Sequence, residues 1–320
     1  MYQAGGNPFK KRISMTKAIR IGTRGSELAV WQAKWVQKKL KSLGVYSELV
    51  EIKSAGEQNQ NTPLYEMGVQ GIFTKALDVA LLNNEIDLAV HSLKDVPTQV
   101  AQGLAIAAVL ERDNPYDVLV YKQKEPQVEY EYTIATSSLR RSAQWLHRYP
   151  NHKTDVLRGN INSRLQKLQS NAGWSGALFA AAGLERIGLN VPNTMHLDWM
   201  IPAPAQGALC IVTRSTNKQL LEICAEMNDT KTMQEVQFER NFLRALMGGC
   251  SMPIGGLATI AGQDITFEGC ILSIDGKHKR SVSLVGHVAK TDELLRESID
   301  LILQNGGSEI LQSFKKDPSQ

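Results

Sequence analysis

The chain has 320 residues, of which 42% are hydrophobic and 21% are charged, which is typical of a globular protein with two or three domains. Its formal net charge of +4 is too small to indicate nucleic-acid binding, and its apolar stretches are far shorter than a membrane span. The four cysteines form no C-x-x-C pair and lie near no histidine cluster, which argues against a metal site and a disulfide framework. Residues 1–17 lack the apolar core of a secretory signal, so we expect a flexible extension and a cytoplasmic protein.

Strands and helices are predicted to alternate through the first hundred residues. Apolar segments predict strands at 18–23, 45–53, 85–90 and 104–110, and apolar residues at helical spacing predict helices beginning near Ser26 and over 73–82. Ser26 is suited to capping the first of these helices. Such alternation is typical of a largely parallel sheet.

Two proline-containing segments divide the rest of the chain. Residues 111–115 interrupt the alternation, and Pro202-Ala203-Pro204 is a second hinge candidate. Between these two segments we expect helices that begin at Leu139 and after Asn160, and strands at 133–135, 153–157 and 177–181. After the second segment we expect a strand at 208–213 that returns to the first sheet. The C-terminal part is then predicted to contain a helix at 232–247, strands near 257–261, 265–274 and 281–287, a helix at 291–304 and a short final helix. The predicted domains are 18–110 with 207–228, 116–201, and a small α+β domain at 230–320.

A polar segment, His91-Ser92-Leu93-Lys94-Asp95-Val96-Pro97, directly follows a predicted buried strand. Open α/β sheets place their chemistry in such loops at the ends of strands. Asp95 is the single acid in the segment. The alternative is a solvated loop with a surface Lys-Asp pair.

Several basic residues occupy equivalent positions just after predicted strands or at helix starts. They are Arg24, Lys94, Arg140, Arg141, Arg158, Arg164 and Arg186. Helix N-termini favour anions, and arginine adds a fork suited to carboxylates or phosphates. Any one of these arginines could simply solvate a loop, but the set predicts an anion with several charges in a cleft between two domains. The chain has no phosphate-binding G-x-x-x-x-G-K-[ST] loop and no aromatic residues between the arginines, so neither a nucleotide nor a nucleic acid is indicated.

Cys250 lies in a glycine-rich segment, 248–256, at the predicted end of a helix, whereas the other three cysteines lie in apolar patterns. A thiol on a loop is a candidate nucleophile or attachment point. An inert loop cysteine remains the alternative.

Six short segments together resemble one enzyme family. They are Ile21-Gly22-Thr23-Arg24-Gly25-Ser26, His91-Ser92-Leu93-Lys94-Asp95-Val96-Pro97, Thr136-Ser137-Ser138-Leu139-Arg140-Arg141, Leu157-Arg158-Gly159-Asn160, Pro204-Ala205-Gln206-Gly207-Ala208 and Gly248-Gly249-Cys250. As an ordered set through residues 18–310, they are similar to segments of hydroxymethylbilane synthases, also called porphobilinogen deaminases.

The resemblance implies two doubly wound α/β domains like those of periplasmic binding proteins, with a cleft between them, and a small α+β C-terminal domain. It implies a dipyrromethane cofactor joined through a thioether to Cys250. Four porphobilinogen units are added to that cofactor with loss of ammonia, and hydrolysis then releases a linear tetrapyrrole. The expected partners are porphobilinogen and the growing polypyrrole chain, with no nucleic acid or membrane, and a monomer is expected.

The resemblance also assigns residues. It gives Asp95 the catalytic role, as the carboxylate that stabilises the cation left when ammonia departs. It assigns the binding of cofactor and substrate carboxylates to Arg24, Ser26, Ser92, Lys94, Thr136, Ser138, Arg140, Arg141, Arg158, Arg164, Arg186 and Gln206. Porphobilinogen carries an acetate and a propionate, so the growing chain matches the anion that the arginines predict.

The chain departs from the family pattern at a few positions. Glu57 stands where aspartate is usual, Glu66 and Gln70 stand where lysine is frequent, and Ser175 replaces a usual aspartate. The first three positions lie in a loop expected near the cleft, and Glu66 and Gln70 alter its charge. The competing hypothesis is a non-catalytic, two-lobed anion-binding protein. The intact mass of the protein distinguishes the two hypotheses, because the enzyme should carry a covalent pyrrole adduct and the binding protein should have the mass of the bare chain.

Overall fold

A computed structural model describes residues 17–53, 74–127, 129–246 and 252–316. Within these residues thirteen strands form three sheets. The strands are β1 (Ile19–Thr23), β2 (Ser47–Glu51), β3 (Leu88–Ser92), β4 (Leu104–Val109), β5 (Asp117–Tyr121), β6 (Thr133–Ala135), β7 (Lys153–Asp155), β8 (Gly176–Ala180), β9 (Thr194–His196), β10 (Leu209–Arg214), β11 (Ile254–Ala261), β12 (Asp264–Leu272) and β13 (Lys279–His287). The helices are α1 (Glu27–Ser42), α2 (Lys75–Leu82), α3 (Leu139–Arg148), α4 (Ile161–Ser170), α5 (Ala181–Arg186), α6 (Lys218–Ala225), α7 (Thr230–Ala245), α8 (Thr291–Ile302) and α9 (Ser308–Lys316).

The first sheet has the strand order β2-β1-β3-β10-β4. β1 pairs in parallel with β2 and β3, whereas β10 runs antiparallel to both of its neighbours, β3 and β4. Buried side chains of α1 such as Val36 and Leu40 pack with Ile21 and Ile211 of the sheet, which explains the helical spacing of apolar residues in α1.

The second sheet repeats this layout, with the order β7-β6-β8-β5-β9. β6 is parallel to β7 and β8, and β5 is antiparallel to β8 and β9. In each sheet the one reversed strand lies in the fourth position, and in each case it adjoins a segment that crosses between the sheets. The chain passes from the first sheet to the second between β4 and β5, in the segment called here the first crossing. It returns between β9 and β10, in the second crossing.

The third sheet is an antiparallel meander, β11-β12-β13, covered by helices of the C-terminal region. Its core contains the rings of Phe238 and Phe242 from α7 against Phe267 from β12, with ring centroids 4.7 and 4.8 Å apart. Such aromatic contacts stabilise a small core that has few strands.

Glu239 of α7 joins this region to both crossing segments. Its carboxylate accepts hydrogen bonds from Arg112 Nη1 at 2.6 Å and Arg112 Nη2 at 3.1 Å in the first crossing. It also accepts from the backbone nitrogens of Ala205, at 2.6 Å in the second crossing, and Ala258, at 2.8 Å in β11. Ala205 has a φ of 64°, a left-handed conformation that a non-glycine residue adopts only where its surroundings hold it.

The predicted fold class is confirmed, and so is the return of the strand near 208–213 to the first sheet. The sequence analysis was wrong to resume the alternation only at residue 133, because β5 comes before it, and it also omitted β9 and α6. β5 begins two residues after Pro115, directly after the segment that the sequence analysis interpreted as a hinge. No helix in the described ranges is long and apolar enough to cross a membrane.

Candidate active site

The polar segment that follows β3 is a short, anchored turn. Leu93–Asp95 forms a single 3-10 turn, so the side chains of Lys94 and Asp95 leave the sheet directly after its central strand. Arg240 of α7 donates hydrogen bonds to the backbone oxygens of Val96 at 2.9 Å and Pro97 at 2.6 Å. The backbone of this segment is therefore anchored to α7.

Asp95 is close to cations from both large sheets. Its charge acts on Lys94 beside it, and on Arg141 of α3 and Arg164 of α4, which belong to the second sheet. Burial, followed by repulsion from Arg141, lowers the pKa of Lys94 to about 8 and the pKa of Arg164 to about 10. Because these cationic side chains repel one another, an added anion would be electrostatically favoured at this site.

Asp117, the first residue of β5, is buried beneath these cations. Its carboxylate lies 2.7 Å from Arg140 Nη1 and 2.8 Å from Arg141 Nη2, and it accepts a hydrogen bond from Gln206 Nε2 at 2.9 Å. Burial alone would raise the pKa of Asp117, but the two guanidinium groups lower it to about 2. Arg140 and Arg141 are therefore held by a carboxylate of the chain itself, a residue that the sequence analysis missed.

Gln206 connects Asp117 to the Asp95 turn. Its Oε1 accepts from Lys94 Nζ at 3.2 Å, and its Nε2 also donates to the backbone oxygen of Pro115 at 2.7 Å. One side chain of the second crossing thus bridges the first sheet, the first crossing and the second sheet.

Hydroxyl groups begin two helices of the site, α1 and α3, as the sequence predicts. Ser26 accepts from the backbone nitrogen of Ala29, and Ser138 accepts from that of Arg141, which makes them the N-caps of α1 and α3. Thr136 Oγ1 accepts from the backbone nitrogen of Ser138 at 3.2 Å, and Ser92 Oγ accepts from Gln32 Nε2 at 2.9 Å. These groups shape the strand-to-helix turns at the edge of each sheet.

Two arginines of the second sheet present nitrogen atoms that are buried but unpartnered within the described residues. They are Nη1 of Arg158, which follows β7, and Nε of Arg164, whose guanidinium lies 5.1 Å from the ring centroid of Phe179. A buried donor without an acceptor costs about 1–3 kcal/mol. Both nitrogens therefore lack an acceptor that the described residues could supply.

The remaining basic residues are placed differently from one another. Arg24 follows β1 and lines a small cavity with Asp95. Arg186 instead donates from Nε to Asp113 Oδ2 at 2.8 Å and from Nη2 to the backbone oxygen of Gly207 at 2.6 Å, so it ties the two crossing segments together. Its assignment to carboxylate binding stays a prediction.

Several predicted features lie outside the described residues, namely Cys250 and the changed positions Glu57, Glu66 and Gln70. Ser175 is described, and it directly precedes β8, where its backbone nitrogen donates to the oxygen of Thr133 at 2.9 Å. Ser175 is thus at the opposite end of the strand from α5. Within the described ranges, no three His, Cys, Asp or Glu side chains are grouped as metal ligands.

Two α/β sheets that bring one carboxylate turn and several buried cations together define a two-lobed α/β class of protein. Comparison with known proteins identifies the family. Residues 19–222 match the family model described as "Porphobilinogen deaminase, dipyromethane cofactor binding domain", and residues 233–297 match "Porphobilinogen deaminase, C-terminal domain".

Curated relatives match over nearly their whole length. The porphobilinogen deaminase of Trichlorobacter lovleyi is 38% identical over 92% of this chain and 96% of its own. That of Desulfitobacterium hafniense is 39% identical over 93% and 98%, and that of a Nostoc species is 36% identical over 94% and 96%. The chain belongs to the porphobilinogen deaminase family.

Solved structures similar to this chain include the periplasmic VFT2 domain of BvgS from Bordetella pertussis, with a TM-score of 0.39 and 12% identity over 64% of this chain and 84% of that one. Another is the second substrate-binding domain of a putative amino acid ABC transporter from Streptococcus pneumoniae, with a TM-score of 0.41 and 11% identity over 72% and 94%.

Proposed function

We propose that Asp95 is the catalytic carboxylate of a hydroxymethylbilane synthase and that the cations around it bind the carboxylates of substrate and product. The chain is a transferase that joins four porphobilinogen molecules on a dipyrromethane primer and then releases a linear tetrapyrrole by hydrolysis. The observation that carries the residue assignment is the position of Asp95 among Lys94, Arg141 and Arg164, at the junction of the two sheets.

The chemistry of the reaction explains why one acid belongs among these bases. The acetate and propionate of each pyrrole unit require cations, and charge-assisted hydrogen bonds to them contribute about 1.5–3 kcal/mol each. Loss of ammonia from the aminomethyl group leaves a positive charge on the pyrrole, which the arginines repel. The carboxylate of Asp95 stabilises that developing charge and accepts the proton that the attacking ring gives up.

The residues present fit the dipyrromethane cofactor, because its carboxylates would satisfy the nitrogens of Arg158 and Arg164 that have no partner among the described residues. We propose that these two arginines, with Arg24, Ser26, Ser92, Lys94, Thr136, Ser138, Arg140, Arg141, Arg186 and Gln206, hold or shape the binding site for cofactor and substrate. When bound, the cofactor supplies the pyrrole carbon on which the chain grows. Cys250 is proposed as its attachment point.

The organisation of the enzyme is proposed as follows. Residues 18–110 and 207–228 form the first domain, 116–201 the second, and 230–320 the third. Cys210, Cys224 and Cys270 are free and buried thiols, which supports a reducing, cytoplasmic location. The large apolar side chains that are exposed, such as Trp35, Tyr130 and Val285, lie on separate elements, which supports a monomer.

The intact mass of the purified enzyme tests the attachment. We expect the mass of the chain plus two linked pyrrole units, and we expect Cys250→Ala to give a folded protein without adduct or activity. Cys224→Ala is the matched control, because the Cys224 thiol is buried and its pKa is raised to about 12. An adduct that peptide mapping places on Cys224 or any other residue would contradict the assignment.

A further inference from the structure

Arg240 of α7 binds the backbone of the Asp95 turn with three hydrogen bonds. Its Nη1 donates to the backbone oxygens of Leu93, at 3.3 Å, and Val96, at 2.9 Å, and its Nη2 donates to that of Pro97 at 2.6 Å. One guanidinium therefore holds peptide groups on both sides of Asp95. Because the guanidinium is planar and its N–H groups point in fixed directions, the contact sets the orientation of the turn as well as its distance from α7.

The Asp95 turn needs donors from outside because it is so short. Leu93–Asp95 is a single 3-10 turn, in which the backbone nitrogen of Val96 donates to the oxygen of Leu93 at 3.1 Å. The last carbonyl groups of a helical segment have no partners inside it, and an arginine side chain can supply them. Without Arg240, the oxygens of Val96 and Pro97 would lose these donors, and the end of the turn would be free to shift.

The start of the turn is held by different contacts. The backbone nitrogen of Leu93 donates to the oxygen of Ala208, directly before β10, at 2.9 Å. Val236, one helical turn before Arg240 on α7, lies in the same buried core as Leu93. The sheet and the core thus fix the chain before Asp95, whereas Arg240 fixes it after Asp95.

The position of this backbone matters for the proposed chemistry. A carboxylate that stabilises a developing charge must already lie where that charge appears, and misplacing a reacting group by about 1 Å can slow a reaction by as much as about 100-fold. The side chain of Asp95 has only two rotatable bonds, so the backbone largely decides where its oxygens can lie. A residue that fixes this backbone therefore contributes to the rate without contacting the substrate.

We propose that Arg240 is a positioning residue of the reaction, which holds the Asp95 turn so that the carboxylate meets the positive charge left when ammonia departs. This inference rests on the proposed catalytic role of Asp95. It gives Arg240 a different role from the arginines proposed to bind carboxylates, because Arg240 acts through Asp95. It also makes α7, which packs on the third sheet, a support for a group of the first sheet.

The test uses the full chain with its cofactor and three substitutions on α7. Arg240→Met keeps the length and the apolar stem of the side chain but removes every donor, and Arg240→Lys returns one nitrogen. Arg244→Met is the matched control, because Arg244 is exposed and lies one helical turn further along α7. Each variant is made with Asp95 and again with Asp95→Asn. The rate of a single porphobilinogen addition at saturation and the half-saturating concentration are measured by rapid quench.

We expect Arg240→Met to slow the addition by roughly 10- to 100-fold, with a nearly unchanged half-saturating concentration. Arg240→Lys should recover part of the rate, and Arg244→Met should match the wild-type enzyme. In the Asp95→Asn background, Arg240→Met should slow the addition little further, because residues that act as a unit have non-additive effects on a rate.

An unchanged rate in folded Arg240→Met would overturn the proposal. So would equal slowing with and without the Asp95 carboxylate, which indicates a general structural role, or a raised half-saturating concentration at an unchanged rate, which indicates substrate binding. If Arg240→Met does not fold, Arg240→Lys is judged in the same two backgrounds and should show a smaller slowing that Asp95→Asn removes. Asp95→Asn at the wild-type rate would instead contradict the proposed function itself.

Discussion

Lys94 Nζ lies 3.2 Å from Oε1 of Gln206, so the turn that carries Asp95 is bonded to the second crossing segment. The same glutamine donates to Asp117 in the second sheet. A change in the relative position of the two sheets must therefore alter the surroundings of Lys94. The site and the crossing segments are one hydrogen-bonded unit.

The first prediction concerns Asp117, which is fully buried between Arg140 and Arg141. Asp117→Asn leaves two buried guanidinium groups without their carboxylate, and removing one partner of a buried ion pair typically costs about 3–5 kcal/mol. We expect a fall of that size in the free energy of unfolding, measured with urea. Glu131→Gln is the control, because the pair of Glu131 with Lys153 is exposed and is worth no more than about 1 kcal/mol. Equal losses in the two variants would contradict the role of Asp117.

The second prediction concerns Glu239, whose two oxygens receive four hydrogen bonds. In Glu239→Gln an NH₂ group replaces one oxygen, so at least one pair of donors loses its acceptor and Arg112 loses its counter-charge. We expect a marked loss of unfolding free energy, since each unsatisfied buried donor costs about 1–3 kcal/mol.

Glu235→Gln on the same helix is the matched control for Glu239. Glu235 is also buried, but its Oε1 accepts one backbone hydrogen bond, from Ile260 at 2.8 Å, and glutamine can keep that bond. We expect a clearly smaller loss in this variant. If Glu235→Gln unfolds as easily as Glu239→Gln, Glu239 has no special role in holding the crossing segments.

The sequence predicted the local features of this site well. Ser26, Ser138 and Asn160 were expected at helix starts and are N-caps, because a cap depends on residues three or four positions apart. Asp117 and Glu239 were not found, because their partners are distant in the chain: Asp117 is 89 residues from Gln206, and Glu239 is 127 residues from Arg112. No local pattern distinguishes such carboxylates from solvated ones.

The same limit applies to the arginines. Their positions after strands predicted an anion site, and Arg164 and Arg158 each present a buried nitrogen that has no partner among the described residues. The sequence could not show that Arg186 pairs with Asp113, 73 residues away, or that Arg140 and Arg141 share Asp117. Which cations already have a protein partner depends on how the two sheets and their crossings pack.

The third prediction concerns pH. Because burial and Arg141 lower the pKa of Lys94 to about 8, its ammonium is charged below that pH and loses its proton above it. At pH 9, one unit higher, roughly one Lys94 in ten is still charged, so carboxylate binding should weaken. We expect kcat/KM for porphobilinogen, which reports ionisations of the free enzyme, to fall between pH 7.5 and about 9.

Lys94→Arg is the comparison, because an arginine remains charged throughout this range. We expect kcat/KM to fall less above pH 8 in this variant, even if its value is lower overall. Ionisation of the substrate affects both enzymes equally, so it does not account for a difference between their pH profiles. Parallel pH profiles for the two enzymes would show that Lys94 does not titrate in the free enzyme or does not bind the carboxylates.

The most direct test of the account is the rate of a single addition of porphobilinogen by Asp95→Asn that carries the cofactor. The substitution keeps the shape of the side chain and removes its charge, while the surrounding cations remain to bind carboxylates. We expect the addition to slow by roughly 10²–10⁴-fold, the range typical of a positioned acid or base. Asp87→Asn, at the opposite end of β3 and paired with Arg20, is the control and should leave this rate nearly unchanged. An Asp95→Asn enzyme that is slowed less than about threefold, well below that range, would contradict the central claim that Asp95 is the catalytic carboxylate.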